Sequence, residues 1–152
     1  MTRGVYSLLI KLEDEQTIKL RRDLSWRLSK GYYIYTGSAL GRGSTSLEKR
    51  LERHLRVEKK IFWHIDRLLS GSGRVVKAVY AEAVAKTECK LNQKILSLLQ
   101  AKPVERFGST DCRCGCVGHL LYLTSHPQDL DELLCRAYLE LGLNYRRVKY
   151  GD

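Results

Sequence analysis

The pattern of apolar and polar positions divides the chain into short strands and helices. Residues 4–12 (GVYSLLIKL) and 17–20 are strand-like and are separated by an acidic turn, which predicts a β-hairpin. An irregular basic stretch, 21–30, leads into the strongly strand-prone run 32–35, and Gly37 follows it. We therefore expect three strands in the first part of the chain.

A helical pattern begins after the third of these strands. The segment 45–48 (TSLE) has the spacing of a capping box, in which a hydroxyl and a glutamate satisfy backbone donors at a helix start. Leucines then recur every four residues from Leu47 to Leu55, which predicts an amphipathic helix. Arg50 and His54 lie one turn apart along the edge of its apolar stripe.

The rest of the chain alternates between helical and strand-like patterns. A second helix is predicted over 60–69, a strand over 75–83, a third helix over 87–100, a strand over 117–124 and a final helix over 127–141. The residues that follow, 145–150 (YRRVKY), are basic and aromatic and are interpreted as a tail.

The composition indicates one domain with its own core. A chain of 152 residues with 43% hydrophobic content can bury a core without staples. It contains no apolar run of about 18 residues, and its N-terminus lacks a charged segment followed by an apolar one. We therefore expect a cytoplasmic protein that does not enter a membrane.

The charge balance favours a polyanionic partner. Lys and Arg number 27 against 17 Asp and Glu, so the formal net charge is +10. Nucleic acid is the expected partner, although a merely soluble basic protein has the same balance. The residues expected to grip a DNA backbone are Arg42, Lys49, Arg53, Arg56, Lys59 and Lys60, with Arg146, Arg147 and Lys149 as a further group.

Several side chains are candidates for catalysis. Tyr6 and Tyr35 lie in similar strand settings, and a phenol can exchange a proton when a nearby cation tunes it, although most strand tyrosines only fill space. Arg50 and His54 add a fixed cation and a titratable ring, or else a solvated helix edge. Glu88 points toward the apolar side of its helix. It either interacts with the helix dipole or provides an oxygen ligand for Mg²⁺ or Mn²⁺.

The five cysteines leave three interpretations open. Their odd number and the expected reducing compartment argue against a full disulfide framework. Buried thiols are the most common outcome, and a structural zinc site is less common because the spacing is unusual. A disulfide between Cys89 and one of the three cysteines in residues 112–116 lies between these two in frequency. The side chains concerned are Cys89, Cys112, Cys114, Cys116 and His119.

Taken together, these motifs resemble the GIY-YIG nuclease superfamily, which includes the N-terminal domain of UvrC and intron homing endonucleases. The matching segments, in order, are 4–6 (GVY), 35–39 (YTGSA) and 48–54 (EKRLERH). Three further segments are similar to a stand-alone, URI-type branch, and the similarity then spans nearly the whole chain. These are 63–66 (WHID), 88–92 (ECKLN) and 107–112 (FGSTDC).

The resemblance implies a fold and an activity. The fold is a small antiparallel or mixed β-sheet flanked by helices, formed by one domain over 1–152 with a core over about 1–100 and a C-terminal elaboration of one extra strand and helix. The activity is metal-dependent hydrolysis of phosphodiester bonds in DNA. Similar domains fused to endonuclease III-like glycosylases in some bacteria imply a role in repair of damaged or branched DNA.

The resemblance also implies the active site, which consists of Tyr6, Tyr35, Arg50, His54 and Glu88 with one Mg²⁺ or Mn²⁺ on Glu88. We assign Tyr6 as general base, with its proton passed to Tyr35 or His54, and Arg50 as phosphate clamp. The chain departs from the family in its loop 40–44, which is longer, and in the late asparagine of many members, for which no equivalent is assigned. The alternatives are a non-catalytic nucleic-acid-binding module and a protein-interaction role.

Overall fold

The fold was derived from a computed structural model. The structure describes residues 3–21, 24–39, 47–55, 64–69, 71, 73–84, 87–104, 107, 118–123 and 130–149. Within these residues the strands are β1 (Gly4–Leu12), β2 (Gln16–Arg21), β3 (Leu24–Leu28), β4 (Gly31–Ala39), β5 (Gly73–Glu82), β6 (Lys102–Pro103), β7 (Leu120–Leu123) and β8 (Tyr145–Lys149). The helices are α1 (Leu47–Leu55), α2 (His64–Leu69), α3 (Thr87–Leu99) and α4 (Leu130–Glu140).

Six of the strands form one open sheet in the order β6-β7-β4-β1-β5-β8, and every neighbouring pair in it is antiparallel. The two others, β2 and β3, form a separate small sheet. The predicted α+β class is therefore confirmed. None of the described helices is long and apolar enough to span a bilayer.

The predicted hairpin between the first two strands is wrong. β1 pairs with β4 on one side and with β5 on the other, and β2 pairs with β3. All but one of the nine residues of β1 are buried, as expected for a strand at the centre of a sheet with both faces covered. The nearly continuous apolar run of β1 is therefore typical of a central strand. A strand that only forms a local hairpin does not need apolar residues on both faces.

The basic stretch 21–30, predicted to be irregular, contains β3. Leu24, Trp26 and Leu28 are buried, and the two residues between them are exposed, which is the period of two of a half-buried strand. The C-terminal tail likewise contains β8, which forms one edge of the large sheet. The charged residues of the strands β3 and β8 are exposed to solvent.

The helices cover both faces of the large sheet. α1, α2 and the small sheet pack on the face that carries Tyr6, Leu8 and Ile10 of β1. α3 and α4 pack on the opposite face with Val5 and Leu9. The predicted third and fourth helices and the strands β5 and β7 are confirmed within a few residues. The predicted capping residues 45 and 46 lie outside the described part of the chain.

Candidate active site

Two tyrosines from adjacent strands lie on the same face of the sheet. In the β1–β4 register Tyr6 is opposite Gly37, and Tyr35 is two residues earlier along β4. The two rings are 6.4 Å apart between centroids, and both residues are buried. A Cβ at Gly37 would lie 2.6 Å from the Tyr6 hydroxyl oxygen, so glycine at this position makes room for the phenol.

Helix α1 places a histidine against the first of these phenols. The Tyr6 hydroxyl and His54 Nε2 are 2.8 Å apart, a hydrogen bond between two buried side chains. The ring centroids of Tyr35 and His54 are 6.4 Å apart. His54 is placed there because the apolar stripe of α1, represented by Leu47 and Leu51, is buried in the same core. The ring therefore follows that stripe into the interior.

Ser38, at the end of β4, links the arginine of α1 to the glutamate of α3. Arg50 Nη1 donates to the Ser38 carbonyl oxygen at 3.1 Å, and Ser38 Oγ donates to Glu88 Oε1 at 3.0 Å. The Glu88 side chain is 27% exposed. One carboxylate oxygen is thus held in place while the side chain remains accessible. No local pattern indicates this role for Ser38, since a single serine near the end of a strand is not distinctive.

The charges of these groups act on both phenols. Burial raises the pKa of Tyr6 above its ordinary value, Arg50 opposes this shift, and Glu88 adds to it. Burial also raises the pKa of Tyr35, and Tyr6 and Glu88 raise it further. Both hydroxyls are therefore protonated at neutral pH. The cation expected to tune the phenols is present, but burial outweighs it.

The structure thus brings together Tyr6, Tyr35, Arg50, His54 and Glu88, which come from β1, β4, α1 and α3. It also adds His119, whose Nδ1 is 3.8 Å from Glu88 Oε2. Spacing alone had grouped His119 with the cysteines. A histidine directly before an apolar strand was the available signal, but spacing could not show which helix that strand would approach.

Asn92 holds the segment before β7 against α3. Its Nδ2 donates to the Gly118 carbonyl oxygen at 2.8 Å, and its side chain is buried. Because Asn92 lies one helical turn after Glu88, this bond fixes His119 relative to that carboxylate. The sequence placed Asn92 on the helix but predicted no partner for it.

Of the three interpretations left open for the cysteines, a buried thiol is the one that applies to Cys89. Cys89 and Cys135 are buried thiols that form no disulfide. Cys89 lies in α3 among apolar side chains and packs as a small hydrophobic residue. No group of three or more potential metal ligands occurs within the described residues. Cys112, Cys114 and Cys116 lie outside them, so the zinc interpretation of these cysteines stays open.

Two of the six residues in the first predicted DNA-gripping group are described, and the further group, Arg146, Arg147 and Lys149, lies in β8. Lys49 is on the exposed side of α1, and its Nζ is 3.6 Å from Oε2 of Glu52. Arg53 instead forms a bidentate ion pair with Asp66 of α2, at 2.7 and 3.0 Å, and Asp66 is fully buried. This pair joins α1 to α2, and the predicted phosphate contact of Arg53 stays a prediction. The others, Arg42, Arg56, Lys59 and Lys60, lie outside the described residues.

Comparison with known proteins identifies the family of the chain. A family model described as "Domain of unknown function DUF123" matches residues 5–142. The chain belongs to this family. No curated protein and no solved structure matches the chain. All of the site residues described above lie within the segment that the DUF123 model matches.

Proposed function

We propose that this DUF123 protein is a divalent-metal-dependent DNA endonuclease with a GIY-YIG type of active site. The observation that carries the proposal is the meeting of two phenols, an imidazole, a guanidinium and a carboxylate from four separate elements at one end of the β1–β4 pair. The formal charge of +10 favours a polyanionic substrate.

The donor set fits a hard divalent cation. Glu88 offers a half-buried carboxylate whose Oε1 is fixed by Ser38. Mg²⁺ is commonly held by one or two carboxylates, and the remaining positions are taken by water and substrate phosphate. When bound, such an ion neutralises charge on the phosphate and acidifies an attacking water.

The protein groups supply proton transfer and phosphate binding. The Tyr6 hydroxyl is in contact with His54 Nε2, so the phenol can pass its proton to the imidazole while it accepts one from water. His54 is favoured over Tyr35 as the acceptor because its Nε2 is hydrogen-bonded to the Tyr6 hydroxyl. The ring centroids of Tyr6 and Tyr35, in contrast, are 6.4 Å apart. Arg50, positioned by its hydrogen bond to Ser38, is the proposed phosphate clamp. Lys49 can contact the DNA backbone beside it.

Cleavage assays test the proposal directly. Plain, nicked, branched and damaged duplexes are incubated with the protein, with and without Mg²⁺ or Mn²⁺. We expect metal-dependent cutting. Faster cutting of the branched or damaged duplexes than of the plain duplex would indicate a repair substrate. Glu88→Gln and Arg50→Ala should lower the cleavage rate by about 100-fold or more while DNA binding stays within a few-fold.

Matched controls are available in α4. Glu132 lies in the first turn of α4, as Glu88 does in α3, and Arg136 is 63% exposed on the same helix. Glu132→Gln and Arg136→Ala should leave cleavage unchanged. Strong cleavage by both site variants would overturn the assigned roles. DNA binding without cutting of any substrate would identify a non-catalytic binding module instead.

A further inference from the structure

His119 is a buried histidine whose ring lies beside Glu88. Its exposure is 3%, and Nδ1 is 3.8 Å from Glu88 Oε2. The other ring nitrogen, Nε2, is buried and has no hydrogen-bond partner among the described residues. The ring nitrogen next to the Glu88 carboxylate is therefore Nδ1.

The distance between His119 Nδ1 and Glu88 Oε2 is longer than a hydrogen bond and is compatible with two ligands of one cation. At 3.8 Å, Nδ1 and Oε2 are beyond the hydrogen-bond range, which ends near about 3.2 Å. Two atoms that each bind one cation at about 2.0–2.2 Å can be as far apart as about 4 Å. The separation of these two atoms is therefore compatible with a shared cation.

The backbone around His119 is held by hydrogen bonds to two other segments of the chain. His119 N donates to the Phe107 carbonyl oxygen at 2.8 Å, and Thr36 N donates to the His119 carbonyl oxygen at 3.2 Å. Asn92 holds the preceding Gly118, where a Cβ would lie 1.9 Å from the Val104 carbonyl oxygen. The ring is thus presented to Glu88 by a close-packed segment, as required for a preorganised ligand.

We propose that His119 is the second protein ligand, through Nδ1, of the divalent cation that Glu88 holds. The inference rests on the proposed function, because it concerns the same cation. It also predicts metal selectivity. Mg²⁺ prefers oxygen ligands, whereas an imidazole favours transition-metal ions over Mg²⁺. The site should therefore bind Mn²⁺ more tightly than Mg²⁺.

Pulsed electron paramagnetic resonance of bound Mn²⁺ tests this ligand directly. The full chain is used without a histidine tag, and Mn²⁺ affinity is measured in parallel by titration. We expect hyperfine coupling from a directly bound nitrogen, changed by isotopically labelled histidine. His119→Phe should remove the coupling and weaken Mn²⁺ binding by about 10-fold or more. His54→Gln, which alters the other buried histidine of the site, should retain the coupling.

The outcomes separate the ligand from the proposed function. If Glu88→Gln abolishes Mn²⁺ binding but the wild-type spectrum shows no nitrogen coupling, His119 is not a ligand and the cation site at Glu88 stands. If Glu88→Gln leaves Mn²⁺ binding intact, the cation site and the ligand are both overturned. The wild-type and His54→Gln spectra decide the matter even if His119→Phe does not fold.

Discussion

The two faces of the β1–β4 pair carry buried hydroxyl groups in very different surroundings. On one face Tyr6 lies against His54 and near Arg50 and Glu88. On the other, one residue further along the chain, Ser7 Oγ is 3.0 Å from Thr36 Oγ1 and 2.9 Å from the hydroxyl of Tyr138, a residue of α4. The Tyr138 hydroxyl also donates to the Val79 carbonyl oxygen at 2.9 Å.

The difference teaches which feature makes a buried tyrosine a candidate for chemistry. Burial raises the pKa of Tyr138 just as it raises the pKa of Tyr6. The Tyr138 hydroxyl, however, contacts neutral groups that form an internal network across β1, β4 and β5. Tyr6 has a cation, a carboxylate and an imidazole around it. Charged and titratable neighbours therefore distinguish the site face, and burial alone does not.

The largest effect on stability should come from the Arg53–Asp66 ion pair. This pair joins α1 to α2 on the face of the sheet that carries Tyr6, called the site face here. Asp66 is fully buried and accepts two hydrogen bonds from Arg53. Asp66→Ala leaves the Arg53 charge without its carboxylate and should lower the free energy of unfolding by about 3–5 kcal/mol. Chemical denaturation measures this loss.

A double variant controls for packing in that experiment. Replacing the pair by apolar side chains, Arg53→Met with Asp66→Leu, should recover most of the lost stability because no uncompensated charge remains. A loss from Asp66→Ala below about 1 kcal/mol, the value typical of exposed ion pairs, would contradict a structural role for this pair.

The next largest effect concerns the phenol of the site face. Tyr6→Phe removes the hydroxyl that contacts His54 and should reduce DNA cleavage by about 100-fold or more, the usual contribution of a general base. The free energy of unfolding should fall by about 1 kcal/mol or more, since the buried hydrogen bond to His54 is lost. Cleavage is measured at saturating DNA and metal, and unfolding by denaturant titration. Full activity in the Phe variant would exclude Tyr6 as the base.

The sequence predicted helices, most strands and the chemical types of the site residues because these depend on local patterns. The stripe from Leu47 to Leu51 predicted where α1 is buried and therefore which way His54 points. The family resemblance supplied the grouping of Tyr6 with Glu88, which no local pattern contains. Local patterns and the resemblance together thus anticipated most of the site.

Features that depend on long-range pairing were missed. The partner of β1 is set by burial on both faces, which a hairpin pattern does not encode, and so the β1–β2 pairing was wrong. The contact of His119 with Glu88 requires β7 to lie beside β4, and Arg53 could not be matched to Asp66 before the packing of α1 on α2 was known. Sequence spacing alone gives no distance between separate elements.

A smaller effect on DNA cleavage is expected from the tyrosine on the opposite face of the sheet. Tyr138→Phe removes the hydroxyl from the network with Ser7 and Val79 and should lower the free energy of unfolding by about 1–3 kcal/mol. Cleavage should stay within a few-fold of wild type, because this hydroxyl lies behind the sheet. Both variants, Tyr138→Phe and Tyr6→Phe, are compared in the same two assays. A cleavage loss as large as that of Tyr6→Phe would show that the two faces do not differ in function.

The smallest effect is the alkaline pH dependence that buried phenols impose on stability. The pKa of Tyr138 is raised in the folded chain, whereas in the unfolded chain it is near about 10. Above that pH the unfolded chain loses the phenol proton while the folded chain keeps it, so the unfolded state binds fewer protons and stability falls as pH rises. Each such tyrosine contributes at most about 1.4 kcal/mol per pH unit.

Tyr138→Phe should therefore make the decline in stability between about pH 10 and 11.5 shallower by up to about that slope. Denaturation at several pH values measures this difference. Ser7→Ala, which disturbs the same network without removing a phenol, should leave the slope unchanged, and equal slopes in wild type and Tyr138→Phe would contradict the burial of a neutral phenol on this face.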